Sequence, residues 1–207
     1  MVLLRYFNTI KKNYSNIQAI RKMFPRVYFV IIHMLKNSIP NQYEKSFLEI
    51  NFNTLQKKMG IKYIILDIDQ TIVPQSSHTI SVEIKHKIKK IKKLFGNNSI
   101  CFLTNEPSAN RKENIYKQLG LNVVDSFNFK KPLPQAFSYA VDYLDNEADT
   151  SQFCFIGDRV WTDILGANNY GLYTIQVDPY DKNSDRYSTK ILRYLENYII
   201  KINRYLK

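Results

Sequence analysis

Between residues 60 and 178 the hydrophobic positions change period repeatedly. Near-continuous apolar runs, the pattern of strands buried on both faces, occur in IKYIILD (61–67), SICFLT (99–104), VVDSF (123–127), QFCFIGD (152–158) and LYTIQV (172–177). Between them the apolar spacing lengthens to three and four. Ile84, Ile88, Ile91 and Phe95 mark a helix over 81–95, and further helices follow over 109–119, which Gly120 ends, over 133–145 behind Pro132, and over 160–170. A short helix precedes the first strand, with Asn53 as its candidate cap and Gly60 as its end. The order β-α-β-α-β-α-β-α-β predicts an α/β fold, a Rossmann-like parallel sheet of about five strands flanked by helices.

Both ends of the chain read differently. Leu3, Phe7, Ile10, Tyr14, Ile17 and Phe24 recur at helical spacing with Arg5, Lys11, Lys12 and Lys22 between them, until Pro25 interrupts. Ile191, Leu195, Tyr198, Ile202 and Leu206 form a second stripe near the C-terminus, with Lys190, Arg193, Lys201 and Arg204 largely off it. Charge separates the same regions. Residues 1–43 hold seven basic and no acidic side chains, residues 186–207 hold six and one, and residues 44–185 hold 17 of each. The +12 net charge therefore lives in two flanks around a neutral domain. This gives three regions: a basic amphipathic segment (1–43), a charge-neutral α/β domain (44–185) and a basic amphipathic helix (186–207). Such flanks suit an anionic surface, either a membrane or a nucleic acid. The N-terminal stripe also fits a helix packed on the domain or an acid-poor targeting segment.

Composition narrows the classes. A chain of 207 residues with 44% hydrophobic content, 15 Tyr and 12 Phe forms a core and is not a disordered protein. Its longest apolar stretch, Val27 to Leu35, falls well below the roughly 18 residues of a membrane span, so no transmembrane helix is predicted. Cys101 and Cys154 both sit inside predicted strands and read as small buried hydrophobes, not as a disulfide.

In a parallel α/β sheet, ligands bind at the carboxyl ends of the strands. At those ends, or just beyond, lie DIDQT (67–71), LTN (103–105), KKP (130–132) and GDRVWTD (157–163). Each motif alone is weak, since an Asp pair often makes a turn and a Lys-Pro pair often opens a helix. Their convergence on one rim points to metal-assisted phosphoryl transfer, which needs a nucleophile, a divalent ion and fixed positive charge. Asp67 is the candidate nucleophile and Asp69, two residues on, the candidate acid and base. Thr104 would hydrogen-bond a phosphoryl oxygen and Lys131 would offset charge between phosphate and carboxylate. Mg2+ would take Asp67, the backbone carbonyl of Asp69 and Asp158 as oxygen ligands. Asn105 and Arg159 are the candidate substrate contacts.

These residues, in this order, resemble the haloacid-dehalogenase-like (HAD) phosphatases, over about residues 62–178. More narrowly, IKYIILDIDQTIVP, KKP and GDRVWTDILGANNYGLYTIQVDP resemble the phosphatidylglycerophosphate phosphatase group, in which GDRxxTD is a distinctive fourth motif. The resemblance implies that Asp163 helps order the metal site; of Lys130 and Lys131, either of which could reach the phosphate, it favours Lys131, which precedes the proline as the family's lysine does. Two departures stand out: Gln70 where relatives often have Asn or Glu, and Thr104-Asn105-Glu106 where they often have Ser-Asn-Asn. Neither removes a reacting group.

The intervals between motifs leave no room for a cap domain, and capless relatives tend to act on bulky substrates. The reading is therefore a Mg2+-dependent peripheral-membrane phosphatase acting through an aspartyl-phosphate on phosphatidylglycerophosphate. Its partners would be an anionic phospholipid surface and a phosphorylated lipid headgroup, with no nucleic acid. A bacterial cytoplasmic membrane face, a mitochondrial matrix or a plastid stroma would all suit it. The competing readings are a phosphatase for a soluble phosphomonoester or phosphoprotein, and a non-catalytic scaffold whose basic ends grip nucleic acid.

Overall fold

A computed structural model describes residues 26, 33–105, 108–126, 128–185, 187, 189–194 and 196. Its five strands, Gln42–Glu44 (β1), Tyr63–Leu66 (β2), Ile100–Phe102 (β3), Phe153–Gly157 (β4) and Tyr173–Val177 (β5), form one sheet in the order β1-β5-β4-β2-β3. All four pairings are parallel. Helices Phe52–Met59 (α1), Val82–Phe95 (α2), Ala109–Leu119 (α3), Pro134–Asp145 (α4) and Gly166–Tyr170 (α5) cover it.

The strand period decides which helix packs where. Ile64 and Leu66, Ile100 and Phe102, and Cys154 and Ile156 face one side, where Leu55 of α1, Ile84, Ile88 and Ile91 of α2 and Ile115 of α3 close the core. Ile65, Cys101, Phe153 and Phe155 face the other, against Phe137 and Ala140 of α4 and Ala167 of α5. Both cysteines are free and fully buried, and burial raises both thiol pKa values, as for inert core residues. Ser81 and Ser108 cap α2 and α3 by accepting from Ile84 N and Arg111 N. The cap of α1 is Asn51, two residues before the expected Asn53, and Gly60 ends that helix at φ +72°.

The expected strand at 123–127 does not form. Val124 N donates to Phe102 O at 2.8 Å and Phe102 N to Asn122 O at 2.9 Å, a single bridge beside β3. A turn closed by Phe129 N on Ser126 O then pulls the backbone away. The fifth strand is instead β1, whose polar Gln42-Tyr43-Glu44 pairs with Ile175–Val177 at the opposite edge. Contacts cross both composition boundaries: Asn168 Nδ2 donates to Asn37 O and Ile39 O, and Arg193 reaches Asp158 and Asp185. The expected helix over 3–24 lies outside the described residues, as do Leu195, Tyr198, Ile202 and Leu206 of the C-terminal stripe. Described positions from 187 to 196 are helical.

Candidate active site

Sheet order brings the motifs together. β2 lies between β4 and β3, with Leu66 opposite Ile156 and Phe102. Asp67 and Asp158 thus leave adjacent strands at one level, and Thr104 leaves the third. Past β2 the chain folds back at once: Ile72 N and Val73 N donate to Ile68 O, while Gln70 takes the left-handed conformation at φ +61°. All eight candidates, Asp67, Asp69, Thr104, Asn105, Lys131, Asp158, Arg159 and Asp163, line one pocket of about 210 Å³. That is room for a phosphoryl group and a few waters, not for acyl chains.

Lys131 is the hub. Its Nζ lies 2.6 Å from Asp67 Oδ1 and 2.7 Å from Asp163 Oδ1, with all three side chains buried. Lys130 is exposed. Asn105 fixes the lysine by accepting from Lys131 N and donating to Lys131 O, which is backbone clasping the sequence did not suggest. Asp163 is carried on a single π-helical turn, Val160–Leu165, that follows β4. Its Oδ2 accepts from Arg159 N at 3.0 Å. The close approach needs Gly157, because a Cβ there would stand 2.5 Å from Asp163 Oδ2.

Burial pushes the Asp67 carboxyl up to about 7, against the pull of Lys131. Burial likewise raises Asp158, opposed by Arg193 and reinforced by its neighbours Asp163 and Asp67. Burial alone would lower Lys131, but the flanking Asp163 and Asp67 outweigh it and raise its pKa. Asp69 turns elsewhere: its Oδ1 accepts from Arg111 Nη2 at 2.7 Å and from Ser76 N at 2.8 Å. Arg111, on α3, is buried with its Nε unpartnered among the described residues, so its guanidinium is committed to Asp69.

Three further side chains of the rim come from the C-terminal helix. Thr189 and Arg193 line the pocket, and buried Glu196 accepts from Arg159 Nε and Nη2. Arg159, a candidate substrate contact, is therefore also bound to this helix. Arg193 donates to Asp158 Oδ2 and, through Nε at 2.6 Å, to Asp185 Oδ2. Gln70 ties the same segment down, donating to Asp185 Oδ1 and accepting from Asp181 N. The motif's departure at position 70 thus serves a contact with this segment. Arg111, Asp185, Arg193 and Glu196 were not singled out as site residues; Arg193 read as one of the outlying basic residues. Their only sequence signal is charge at isolated helix or loop positions.

Oxygen atoms of Asp67, Asp158 and Asp163 lie within 4.8 Å of one another. An all-carboxylate set suits a hard divalent cation such as Mg2+. Ionised, the six carboxylates around the rim exceed Lys131, Arg111, Arg159 and Arg193 by two charges, which a divalent ion balances. The Asp69 side chain stands apart from this trio; its expected contribution was a backbone carbonyl. A pH signature follows. Because the Asp67 and Asp158 carboxyls sit above their unfolded values, the share of metal-free stability that these two groups contribute is full below about pH 4 and is lost as pH rises, for Asp67 through about 7. Mg2+ held by these carboxylates would compete with those protons, so its stabilisation should be several degrees at about pH 8 and much smaller at about pH 5.5. Differential scanning fluorimetry with and without chelator measures this, and equal shifts at both pH values would rule out the carboxylate trio as the binding site.

Comparison with known proteins places this geometry in a lineage. The chain is 28% identical over 163 residues to the probable phosphatase YqeG of Bacillus subtilis, covering 78% of this chain and 89% of that protein. It is 22% identical over 169 residues to phosphatidylglycerophosphate phosphatase 1, chloroplastic/mitochondrial, of Arabidopsis thaliana, covering 79% of this chain and 47% of that longer protein. A probable mitochondrial phosphatidylglycerophosphatase of Schizosaccharomyces pombe is 27% identical over 139 residues, covering 62% of this chain and 64% of that protein. The profile described as "Mitochondrial PGP phosphatase" matches residues 10–179, the span that holds every motif of the pocket. The chain belongs to this family, the mitochondrial PGP phosphatases.

Proposed function

We propose that the protein dephosphorylates phosphatidylglycerophosphate to phosphatidylglycerol at a membrane surface, through a phosphorylated Asp67. The observation that carries the reaction is the pairing of two carboxylates with two different cations. Asp67 lies against Lys131 and beside Asp158 and Asp163, while Asp69, two residues on, is held by Arg111. One carboxylate is thus kept for phosphorus and the other for protons.

An oxygen of Asp67 attacks phosphorus, and the bond to the glycerol oxygen breaks. Asp69, which enters this step protonated, donates that proton to the leaving oxygen. Asp69 then takes a proton from water as the water attacks the phosphoryl group, releasing inorganic phosphate and freeing Asp67. Thr104 and Lys131 hold phosphoryl oxygens, with Lys131 supplying positive charge where negative charge builds. Asp67, Asp158 and Asp163 would hold Mg2+, which when bound screens the approach of one anion to another. Among the described residues no helix is long and apolar enough to cross a membrane. Peripheral attachment through the basic flanks, on an organelle's inner side or a bacterial cytoplasmic face, suits a substrate whose chains stay in the bilayer.

Phosphate release from phosphatidylglycerophosphate in mixed micelles, run beside glycerol 3-phosphate and p-nitrophenyl phosphate, tests the assignment. The lipid is expected to exceed the soluble esters in kcat/KM by about 100-fold or more, because binding energy from its remote groups is used at the transition state. Turnover of soluble esters with none of the lipid would replace the lipid by a small phosphomonoester. No turnover of any ester would end the enzymatic reading.

A further inference from the structure

The C-terminal helix has two faces of opposite character, and its polar face is the one turned inward. Thr189, Arg193 and Glu196 point to the catalytic rim, as described above. Tyr187, Ile191 and Tyr194, at spacings of four and three on one stripe, are 80%, 50% and 76% exposed. Lys190 is exposed on the same stripe. Three large side chains in a row on a helix exposed to water invite a partner.

We propose that this outward face seats in the headgroup region of an anionic phospholipid bilayer and holds the mouth of the pocket at the lipid surface. The inference rests on the lipid-phosphate reading for its purpose, and it names the surface of the protein that does the docking. Charge selects the partner. Glu196 is the sole acidic residue of 186–207, and it is buried against Arg159. Arg193 is occupied by Asp158 and Asp185. Every other charge of the segment, Arg186, Lys190, Lys201, Arg204 and Lys207, is positive. A second copy of the helix would set cations against cations. So would the chain's own residues 1–43, which carry seven basic and no acidic side chains. A nucleic-acid duplex would satisfy the charges but offers no apolar phase for Ile191. A bilayer offers both, and tyrosine beside lysine is the residue pairing of its interface.

Geometry gives the docking a consequence. A helix is about 10–12 Å across, so a headgroup touching Ile191 lies roughly one helix diameter from Arg193 and the pocket it lines. A phosphate projecting from the bilayer can reach the pocket while its acyl chains remain in place.

The test is flotation of the full chain with phosphatidylcholine vesicles, with and without phosphatidylglycerol, over a salt series. The wild type is expected to float with the anionic vesicles alone and to lose binding as salt rises. The triple variant Tyr187→Ser, Ile191→Ser, Tyr194→Ser is expected to keep the wild-type thermal melt and lose binding at least about tenfold. Should the triple variant melt early, Tyr187→Ser and Lys190→Glu singly are expected to weaken binding about threefold each. Variants that melt and float like the wild type overturn the proposal, as does a wild type that ignores vesicles or prefers duplex DNA. Flotation without hydrolysis of the lipid phosphate leaves the docking face standing and overturns the substrate reading instead.

Discussion

Asp67→Asn is expected to lower phosphate release on the order of 10⁴-fold or more, leaving only the slow reaction that binding and oriented charge can sustain. The amide keeps the shape of the carboxylate and cannot attack phosphorus. The fold should survive. Lys131 retains Asp163 at 2.7 Å, the cost of holding a buried, ionised Asp67 disappears, and Asp158, raised mainly by its own burial, loses one neighbouring negative charge. The metal-free variant should therefore melt within a few degrees of the wild type at about pH 8, and higher if the relief exceeds the lost Lys131 contact. Stopped assays of phosphate release, paired with thermal melts, separate the two effects. A folded Asp67→Asn retaining a tenth of wild-type turnover would mean that water attacks directly and that Asp67 only holds charge.

Much of this was legible in the chain because it follows from local rules. Apolar runs gave β2, β3, β4 and β5, since strands buried on both faces cannot hide in a polar sequence. The eight candidates converged because strand ends in a parallel sheet share one rim. What escaped was non-local. β1 carries Gln42 and Glu44 and is held by backbone pairing with β5, which leaves no hydropathy signature. Arg193 lies between Leu192 and Tyr194 like any outward cation, and only the tertiary fold turns it onto Asp158. Glu196, the single acid of a basic segment, has no sequence feature that sets it apart beyond its charge, yet it binds Arg159 from the inside. The stripe Ile191-Leu195 predicted an amphipathic helix without saying which side faces the protein. In the structure Ile191 faces out, because ionic contacts with a charged rim favour the polar side. Capless by its motif spacing, the pocket is still bordered by an element from the far end of the chain.

Lys131→Met should be the variant that harms fold and chemistry together. Methionine matches the length of the lysine stem over the Phe155 ring, 5.1 Å from Nζ, but leaves Asp67 and Asp163 facing each other without their shared cation. Removing one partner of a buried ion pair costs about 3–5 kcal/mol, which for a domain of this size is on the order of 10 °C in Tm. Turnover should fall about 10²–10³-fold, the order expected when one fixed positive group at the transferring phosphoryl is lost. The effect of Mg2+ separates this mechanism from simple misfolding. With one cation gone the pocket is more negative, so Mg2+ should raise the Tm of Lys131→Met by more than it raises that of the wild type. Lys130→Ala, one residue away and exposed, should stay within about 0.5 kcal/mol of wild-type stability and near wild-type turnover. If Lys130→Ala loses turnover while Lys131→Met keeps it, the charge that serves the phosphate comes from the wrong lysine for this geometry, and the hub assigned to Lys131 fails.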